Sequence, residues 1–276
     1  MKNKHLALLT ALVLGFVPTA SYASGSVDQT NGECDLSGSG TEASPYSLTE
    51  RPHLRELADC DPSAETIYVS LDSNIDLRGT EWSPVDFNDD AALIFDGNGR
   101  SIAGLTKFDE GDNGGLFGET GDLTVKNLNL SAPLVHGTGQ TAALVGRVRG
   151  DLLVENTNID VGFFSGTWES GLFAGRVTGD ANITDALGNV ERIMFGDSRG
   201  GILLGRVSGD MTKLTRVHAI SEDYTLPSIQ GSAVLEDSPR GIGGLVGAVI
   251  SFEFEDVSAQ LRDHNERNQA PVTRSV

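Results

Sequence analysis

Apolar and polar residues alternate in short segments that recur along the middle of the chain. The alternation is clearest in Leu123-Thr124-Val125-Lys126 and in Leu152-Leu153-Val154-Glu155. A period of two places one set of side chains on a buried face and the other on an exposed face, as in a β-strand. No segment of this region keeps the 3.6-residue period of an amphipathic helix. The pattern therefore predicts strands that no helix separates.

A glycine-bounded motif recurs five times among these strands. Its copies are Gly115-Leu116-Phe117-Gly118, Ala143-Leu144-Val145-Gly146, Gly171-Leu172-Phe173-Ala174-Gly175, Gly201-Ile202-Leu203-Leu204-Gly205 and Gly244-Leu245-Val246-Gly247. The closing glycines are 28, 29, 30 and 42 residues apart. Glycine permits a sharp turn where a side chain would clash. Strands at this spacing without helices cannot form βαβ units, so we expect each strand to stack in parallel on its counterpart one repeat away, as in a β-solenoid.

Stacking at about 4.8 Å per coil brings equivalent positions of successive repeats together. The predicted pairs are Leu123 with Leu152, Val125 with Val154, Leu130 with Ile159 and Asn127 with Asn156. The first three pairs would form a continuous apolar interior. The asparagines would form a short hydrogen-bonded ladder at a turn, followed in the third repeat by Asp185 or Leu187.

The N-terminal residues have the features of a secretory signal peptide. Lys2 and Lys4 precede an apolar run from Leu6 to Val17, and cleavage is expected after Ala23. This run is too short to span a membrane, and no later segment approaches 18 continuous apolar residues. The sequence therefore predicts an exported chain, secreted, at the cell surface or periplasmic, without membrane insertion.

Residues 24–60 are expected to form an N-terminal cap. Cys34 and Cys60 are the two cysteines of the chain, and an even number in an exported protein favours a disulfide. A redox-active pair is the alternative, but the Cys-X-X-Cys spacing is absent. Thr49 is a candidate N-cap, and Leu54, Leu57 and Ala58 share one face of a short helix predicted over 50–59.

The solenoid is expected over 61–259 and a mobile polar tail over 260–276. The 42-residue interval before Gly247 requires about 12 additional residues, and 221–240 is our first candidate for a recognition loop. A neutral surface insertion is the alternative for this segment.

With these motifs the chain resembles bacterial surface proteins and adhesins that carry GLUG repeats, named for a Gly-Leu-x-Gly signature. Three further stretches, 38–46, 74–84 and 95–105, resemble the region that precedes such repeats. The resemblance implies a right-handed parallel β-helix at a cell surface or in the extracellular space, with adhesion or matrix contact as its role. It implies no catalytic residues.

The chain is strongly acidic, with a formal charge of −19. Removal of residues 1–23 leaves 18 basic and 39 acidic side chains, a charge of −21. Nucleic acid and anionic lipid are therefore poor partners. The acidic excess is explained by solubility or by cation binding.

Two groups of aspartates are candidate Ca²⁺ ligands. The first group is a stacked column of Asp122, Asp151, Asp180 and Asp210. The alternative for this column is an internal role, in which the aspartates cap turns and form salt bridges with Arg147, Arg176 and Arg206 of the same repeats. Asp109 and Asp112 form the second group, in an acidic glycine-rich loop that would otherwise be a plain turn. The sequence predicts no cofactor apart from such a cation.

Two functions remain open at this point. We expect a binding or adhesion module that contacts an extracellular glycan or protein through unidentified residues. The alternative is a polysaccharide-active lyase or hydrolase, because parallel β-helices also carry such sites, with carboxylates, arginines or Ca²⁺ on one outer face. Asp89-Asp90 is an adjacent acidic pair, but neighbouring strand residues point to opposite faces. No catalytic residue is assigned.

Overall fold

Short strands stacked in parallel dominate the described part of the chain. The computed structural model describes residues 34–60, 65–87, 91–108, 111, 113–196, 199–225, 245–263 and 272–275. The predicted signal peptide, Asp89-Asp90, Asp109, Asp112 and the greater part of the predicted recognition loop, 226–240, lie outside these residues.

The described elements are short and long strands, with one small helix after the first strand. In the first part of the chain they are β1 (Tyr46–Leu48), α1 (Arg51–Glu56), a 3-10 turn (Leu57–Asp59), β2 (Thr66–Leu71), β3 (Ile75–Asp76), β4 (Ala92–Asp96), β5 (Ser101–Ala103), β6 (Thr106–Phe108), β7 (Asn113–Gly114), β8 (Phe117–Thr120), β9 (Leu123–Lys126), β10 (Asn129–Gly137), β11 (Gln140–Ala142) and β12 (Val145–Val148). The remaining strands are β13 (Leu152–Glu155), β14 (Asn158–Gly166), β15 (Glu169–Gly171), β16 (Ala174–Val177), β17 (Ala181–Phe195), β18 (Arg199–Gly200), β19 (Leu204–Val207), β20 (Thr212–Thr225), β21 (Val246–Ala248), β22 (Phe252–Asp263) and β23 (Val272–Ser275).

Each complete coil contributes strands to three sheets. The coil from β9 to β12 runs through two stacks of the first sheet, then the second sheet and then the third sheet. The second sheet has the order β18-β15-β11-β7, and the third has the order β21-β19-β16-β12-β8. The β-solenoid predicted from the glycine spacing is therefore confirmed.

The pairing register agrees with the alignment of the repeats. β13 lies parallel to β9 with Leu152 opposite Leu123 and Val154 opposite Val125, and β14 lies parallel to β10 with Ile159 opposite Leu130. All these side chains are buried. A shift of one residue would turn every apolar side chain outward, so the alternation itself selects this register.

One corner of the coil requires left-handed backbone in every repeat. Asn127, Asn156, Asp185, Arg216 and Asp256 have φ angles of 56°, 44°, 53°, 50° and 54°. They follow strand positions that pair in register, so they form one column. Asparagine and aspartate tolerate this conformation better than most residues. The third member of the predicted ladder is therefore Asp185 rather than Leu187.

A second corner depends on glycine for close backbone contact. A Cβ atom on Gly175 would lie 2.6 Å from the backbone nitrogen of Thr141 and 2.7 Å from the backbone carbonyl oxygen of Glu169. Gly146 and Gly205 have equally short approaches to the backbone of the second sheet. The strands of the second and third sheets therefore lie against each other without intervening side chains at these positions.

The segment predicted as an N-terminal cap has the predicted disulfide and helix in its described residues, 34–60. Cys34 and Cys60 are bonded, with their Cα atoms 4.7 Å apart, and α1 with its 3-10 turn spans 51–59. Leu54 and Leu57 are buried as predicted, but Ala58 is exposed, because the tighter 3-10 turn rotates it away from the core. Glu50, rather than Thr49, occupies the N-cap position and makes no side-chain capping bond.

The C-terminal segment differs from the predicted mobile tail. β22 continues to Asp263, and β23 pairs with it in antiparallel orientation, with Ser275 opposite Ser258. The polar composition of this segment concealed the strand, because a two-stranded edge needs few buried apolar side chains once its backbone groups are paired.

Candidate binding surface

Arginine occupies the same position in three successive coils of the third sheet. Arg147, Arg176 and Arg206 pair in register on β12, β16 and β19. Glu119 occupies the preceding position of this column on β8, opposite Arg147. The repeated Gly-Arg-Val sequence thus places one arginine on each of three neighbouring strands, which lie about 4.8 Å apart along the stack.

The second sheet carries a polar column beside these arginines. Gln140 lies opposite Asn113 and Glu169, and Arg199 follows Glu169 on β18. The two columns meet because each coil turns sharply between these sheets, at the corner that glycine permits. Residues far apart in sequence therefore converge at one corner.

Glu169 is the centre of this corner. Its side chain is only 1% exposed, while those of Arg176, Arg199 and Arg206 are 28%, 44% and 34% exposed. The Nη1 atoms of Arg199 and Arg206 lie 3.2 Å and 3.3 Å from Oε1, and Nη1 of Arg176 lies 3.8 Å from Oε2. One carboxylate therefore holds three guanidinium groups from three different strands. A buried charge needs such partners to offset its desolvation.

A second carboxylate joins the same surface two coils earlier. Glu119 Oε1 lies 3.3 Å from Arg147 Nη1 and 2.6 Å from Arg149 Nε. The backbone N–H of Glu119 donates to the Asp86 carboxylate over 2.9 Å. Burial raises the pKa of Asp86 and the charge of Glu119 raises it further, although the backbone N–H of Glu119 lowers it in part.

We call this surface the arginine corner. It comprises Glu119, Arg147, Arg149, Glu169, Arg176, Arg199 and Arg206. Around Glu169, three guanidinium groups meet one carboxylate among the described residues, which gives this part of the corner a local formal charge of +2. This local excess of positive charge contrasts with the −19 of the whole chain.

Exposed apolar side chains lie near the ends of the strands that precede the second sheet and in the turn that follows one of them. The rings of Phe108 and His136 stack with centroids 4.9 Å apart. Phe108, Trp168 and Met194 are 61%, 55% and 43% exposed. Trp168 directly precedes Glu169, and its carbonyl oxygen accepts the backbone N–H of Arg199 over 2.8 Å. An exposed aromatic residue thus adjoins the arginine corner.

The aspartates of the predicted cation column have another role. Asp122 accepts the backbone N–H of Asp151, and Asp151 accepts that of Asp180, both over 2.8 Å. Each carboxylate therefore caps the turn of the next coil, which is one of the alternatives that the sequence left open.

Asp210 does not continue this column. Asp180 accepts the N–H of Met211 over 2.9 Å, because Thr212 rather than Met211 pairs with Ala181 and the fourth coil has one more residue in this turn. The arginines expected to neutralise the column are bound to Glu119 and Glu169 instead. That expected pairing was wrong.

Metal-binding clusters and membrane-spanning helices are both absent from the described residues. Within the described ranges, no group of three or more His, Cys, Asp and Glu side chains could hold a metal ion, and the candidate Ca²⁺ ligands Asp109 and Asp112 lie outside these ranges. The same part of the chain contains no helix that is long and apolar enough to cross a bilayer.

The comparisons with known proteins give one similar solved structure. No protein-family model matches the sequence, and no curated protein matches it significantly. The structure is similar to that of a putative immunoglobulin A1 protease from Bacteroides ovatus, with 17% identity and a TM-score of 0.43 over 84% of this chain and 81% of the other. Neither activity nor site residues are transferred from it.

Proposed function

We propose that this protein is an exported binding module that contacts an extracellular glycan or protein through the outer surface of its solenoid. The observation that carries the proposal is the arginine column of the third sheet, where the same partly exposed cationic side chain recurs in successive coils. A repeated surface of this kind suits an extended ligand with repeating groups. Catalysis, by contrast, needs several different groups around one reacting atom.

Three further features support this proposal. The apolar run and cleavage pattern of residues 1–23 are those of a secretory signal. The Cys34–Cys60 disulfide is typical of proteins that leave the reducing cytosol. The resemblance of the glycine motifs to GLUG repeats adds adhesion or matrix contact as the expected role.

A binding screen tests the proposal directly. The purified protein is applied to a glycan array and to immobilised matrix proteins, and a variant with Arg176, Arg199 and Arg206 all changed to Gln is the matched comparison. We expect saturable binding to at least one immobilised ligand, and we expect the variant to lose it. No binding to any glycan or matrix protein contradicts the proposed function.

A polysaccharide-active enzyme is the second candidate, and one observation favours it. Asp86 has a raised pKa and accepts a hydrogen bond from the backbone of Glu119, whose carboxylate is bound to two arginines. Two carboxyl groups in contrasting environments are the arrangement that acid–base chemistry on a glycosidic bond uses.

Product release separates the two candidates. Polysaccharides that bind in the screen are incubated with the protein, and new reducing ends and unsaturated products are measured. The binding proposal predicts none. Release that Asp86→Asn and Glu119→Gln each abolish would establish the enzyme instead.

A further inference from the structure

We propose that the arginine corner is a binding site for acidic polysaccharide, with guanidinium groups holding the carboxylate or sulfate groups of successive sugar units. This inference rests on the proposed function and names its ligand class and its site.

The first argument is the surplus of donors over acceptors. A guanidinium group has five N–H donors and always carries a charge. Three arginines together already approach the two carboxylate oxygens of Glu169. The side-chain Nε2 of Gln140 also lies 3.5 Å from Oε2. Arg199 and Arg206 each reach Glu169 through Nη1. One buried carboxylate cannot neutralise three guanidinium groups, so the corner keeps a positive charge that an anionic ligand would complement.

The second argument is geometric. Arg147, Arg176 and Arg206 lie in one column with a repeat of about 4.8 Å. An anionic polysaccharide is extended and presents its charged groups at regular intervals, so one chain can contact several coils at once. Contacts made in series raise the overall affinity without any deep pocket.

The third argument is rigidity. Glu169 is buried and fixed by its strand, so it holds the guanidinium groups around it in place before a ligand arrives. Ordering a long, flexible side chain on binding costs affinity, and an arginine that is already ordered avoids that loss. Glu169 is therefore a positioning residue rather than a ligand contact.

The fourth argument is an exposed aromatic residue that is next to the corner in the chain. Trp168 is exposed and stands directly before Glu169 in the chain. A large exposed aromatic beside polar groups is typical of an interaction surface. The C–H groups of a sugar ring pack on the face of an aromatic ring. A polyanion made of amino acids or phosphates does not need this contact. This ring favours a saccharide over other anions.

The acidity of the whole chain does not oppose this site. Charges in 0.15 M salt are screened over about 8 Å, so the potential at the corner depends on the nearest groups. Among the described residues, the groups around Glu169 carry a net charge of +2. The distant carboxylates instead reject polyanions elsewhere on the surface and so restrict binding to this corner.

The test measures the affinity of the purified protein for four probes. Polygalacturonate offers carboxylates, dextran sulfate offers sulfates, dextran is uncharged, and polyglutamate is a polyanion without sugar rings. We expect binding to one or both acidic polysaccharides that weakens as salt rises, with little binding to dextran or polyglutamate. The stronger of the two acidic probes identifies the anionic group.

Variants assign the binding to this corner. Arg199→Gln with Arg206→Gln should weaken binding by about tenfold or more, since each removes charge-assisted hydrogen bonds. Arg78→Gln with Arg216→Gln removes the same charge elsewhere and should change affinity less than about twofold. Trp168→Ala should weaken binding to the acidic polysaccharides. Because loss of two arginines around the buried Glu169 should itself lower the melting temperature, a native circular dichroism spectrum and a cooperative melt above the assay temperature are the criteria that exclude misfolding.

The outcomes separate this inference from the proposed function. Equal losses in the two double variants, or equal affinity for polyglutamate, overturn the inference in favour of unspecific charge. Binding in the glycan or matrix screen without binding to either acidic polysaccharide overturns the inference and leaves the proposed function standing. No binding in any assay overturns both.

Discussion

The side-chain amide of Asn156 donates a hydrogen bond of 2.8 Å to the amide oxygen of Asn127, one coil earlier. Asn127 in turn donates to Asp96 over 3.0 Å. Both asparagines have left-handed backbone. The column therefore combines two requirements at one corner, a residue that tolerates positive φ and a side chain that bonds along the stack.

Substitution at Asn156 separates these requirements. Asn156→Ala should lower the free energy of unfolding by about 1–3 kcal/mol, because it loses the hydrogen bond and strains the backbone. Asn156→Gly loses the bond but tolerates positive φ, so it should be less destabilising. Denaturant titration of both variants checks this, and equal losses would mean that backbone conformation is unimportant here.

Gly175 should not tolerate a side chain. Its Cβ would lie within 2.7 Å of backbone atoms of three residues, so Gly175→Ala should destabilise the fold by about 1–3 kcal/mol or more. Gly114 is the matched control, because its Cβ would have no neighbour closer than 3.5 Å. Thermal melts of the two alanine variants should differ clearly, and similar melting temperatures would contradict the close approach of the two sheets.

Removal of the Glu169 charge should make stability depend on salt. Glu169→Gln leaves Arg176, Arg199 and Arg206 without their shared counter-ion. We expect the free energy of unfolding to fall by about 1–3 kcal/mol. The loss stays in this range because the arginines are partly exposed and solvent screens their repulsion. Added NaCl should recover part of that loss. Glu191→Gln, at an exposed position, is the control. If the melting temperature of Glu169→Gln does not depend on salt, the proposed ion pairs between Glu169 and the three arginines are wrong.

The pH dependence of stability should carry opposite contributions from two aspartates. Burial raises the pKa of Asp96, but hydrogen bonds from Asn127 and Asn98 and the charge of Lys126 outweigh it, and the net shift is downward. Its stabilising contribution is therefore present above about pH 4, the unfolded value, and is lost as the pH falls through the folded pKa. Asp86 has the opposite sign: its contribution is present below about pH 4 and is lost as the pH rises through its raised pKa.

Asp96→Asn should therefore flatten the acid side of the stability profile, and Asp86→Asn should remove a component that favours acid. Denaturant midpoints measured between about pH 2 and pH 6 check both signs. Identical profiles for the two variants would show that neither group titrates as described.

Calcium tests the remaining alternative for the aspartate column. Asp151 and Asp180 are bound to backbone N–H groups of the next coil, so we expect the same melting temperature in chelator and in millimolar Ca²⁺. Asp151→Ala should lower it equally in both. A rise in Ca²⁺ alone that Asp151→Asn abolishes would establish a calcium site.

The stacking of the coils could be predicted because it follows from local rules. Alternation fixes which side chains face inward, and the glycine spacing fixes the length of a coil. Leu123 and Leu152 were therefore paired correctly without any knowledge of the turns. The end of the solenoid was predicted less well, because the strand from Val272 has a polar sequence and depends on its partner.

The sequence predicted the recurring arginines of the arginine corner but not their partner Glu169. Arg147, Arg176 and Arg206 recur at equivalent positions of the repeats, but the sequence pairs them with the aspartates that are nearest along the chain. Glu169 comes from a different sheet, and nothing in a linear pattern shows which sheets fold against each other. One signal was present: Glu119 stands where the next coil has Arg147, so alignment along the column already pairs an acid with a base.

The shared register of β9 with β13 and of β10 with β14 has a further consequence for how such a chain can change in length. Because each coil recognises its neighbour through the same positions, duplication of the 29 residues from 123 to 151 would supply a coil that fits the existing surfaces on both sides. The arginine column would gain one guanidinium group by the same event. Reach along a ligand could thus be altered by a single in-frame duplication, without any new packing.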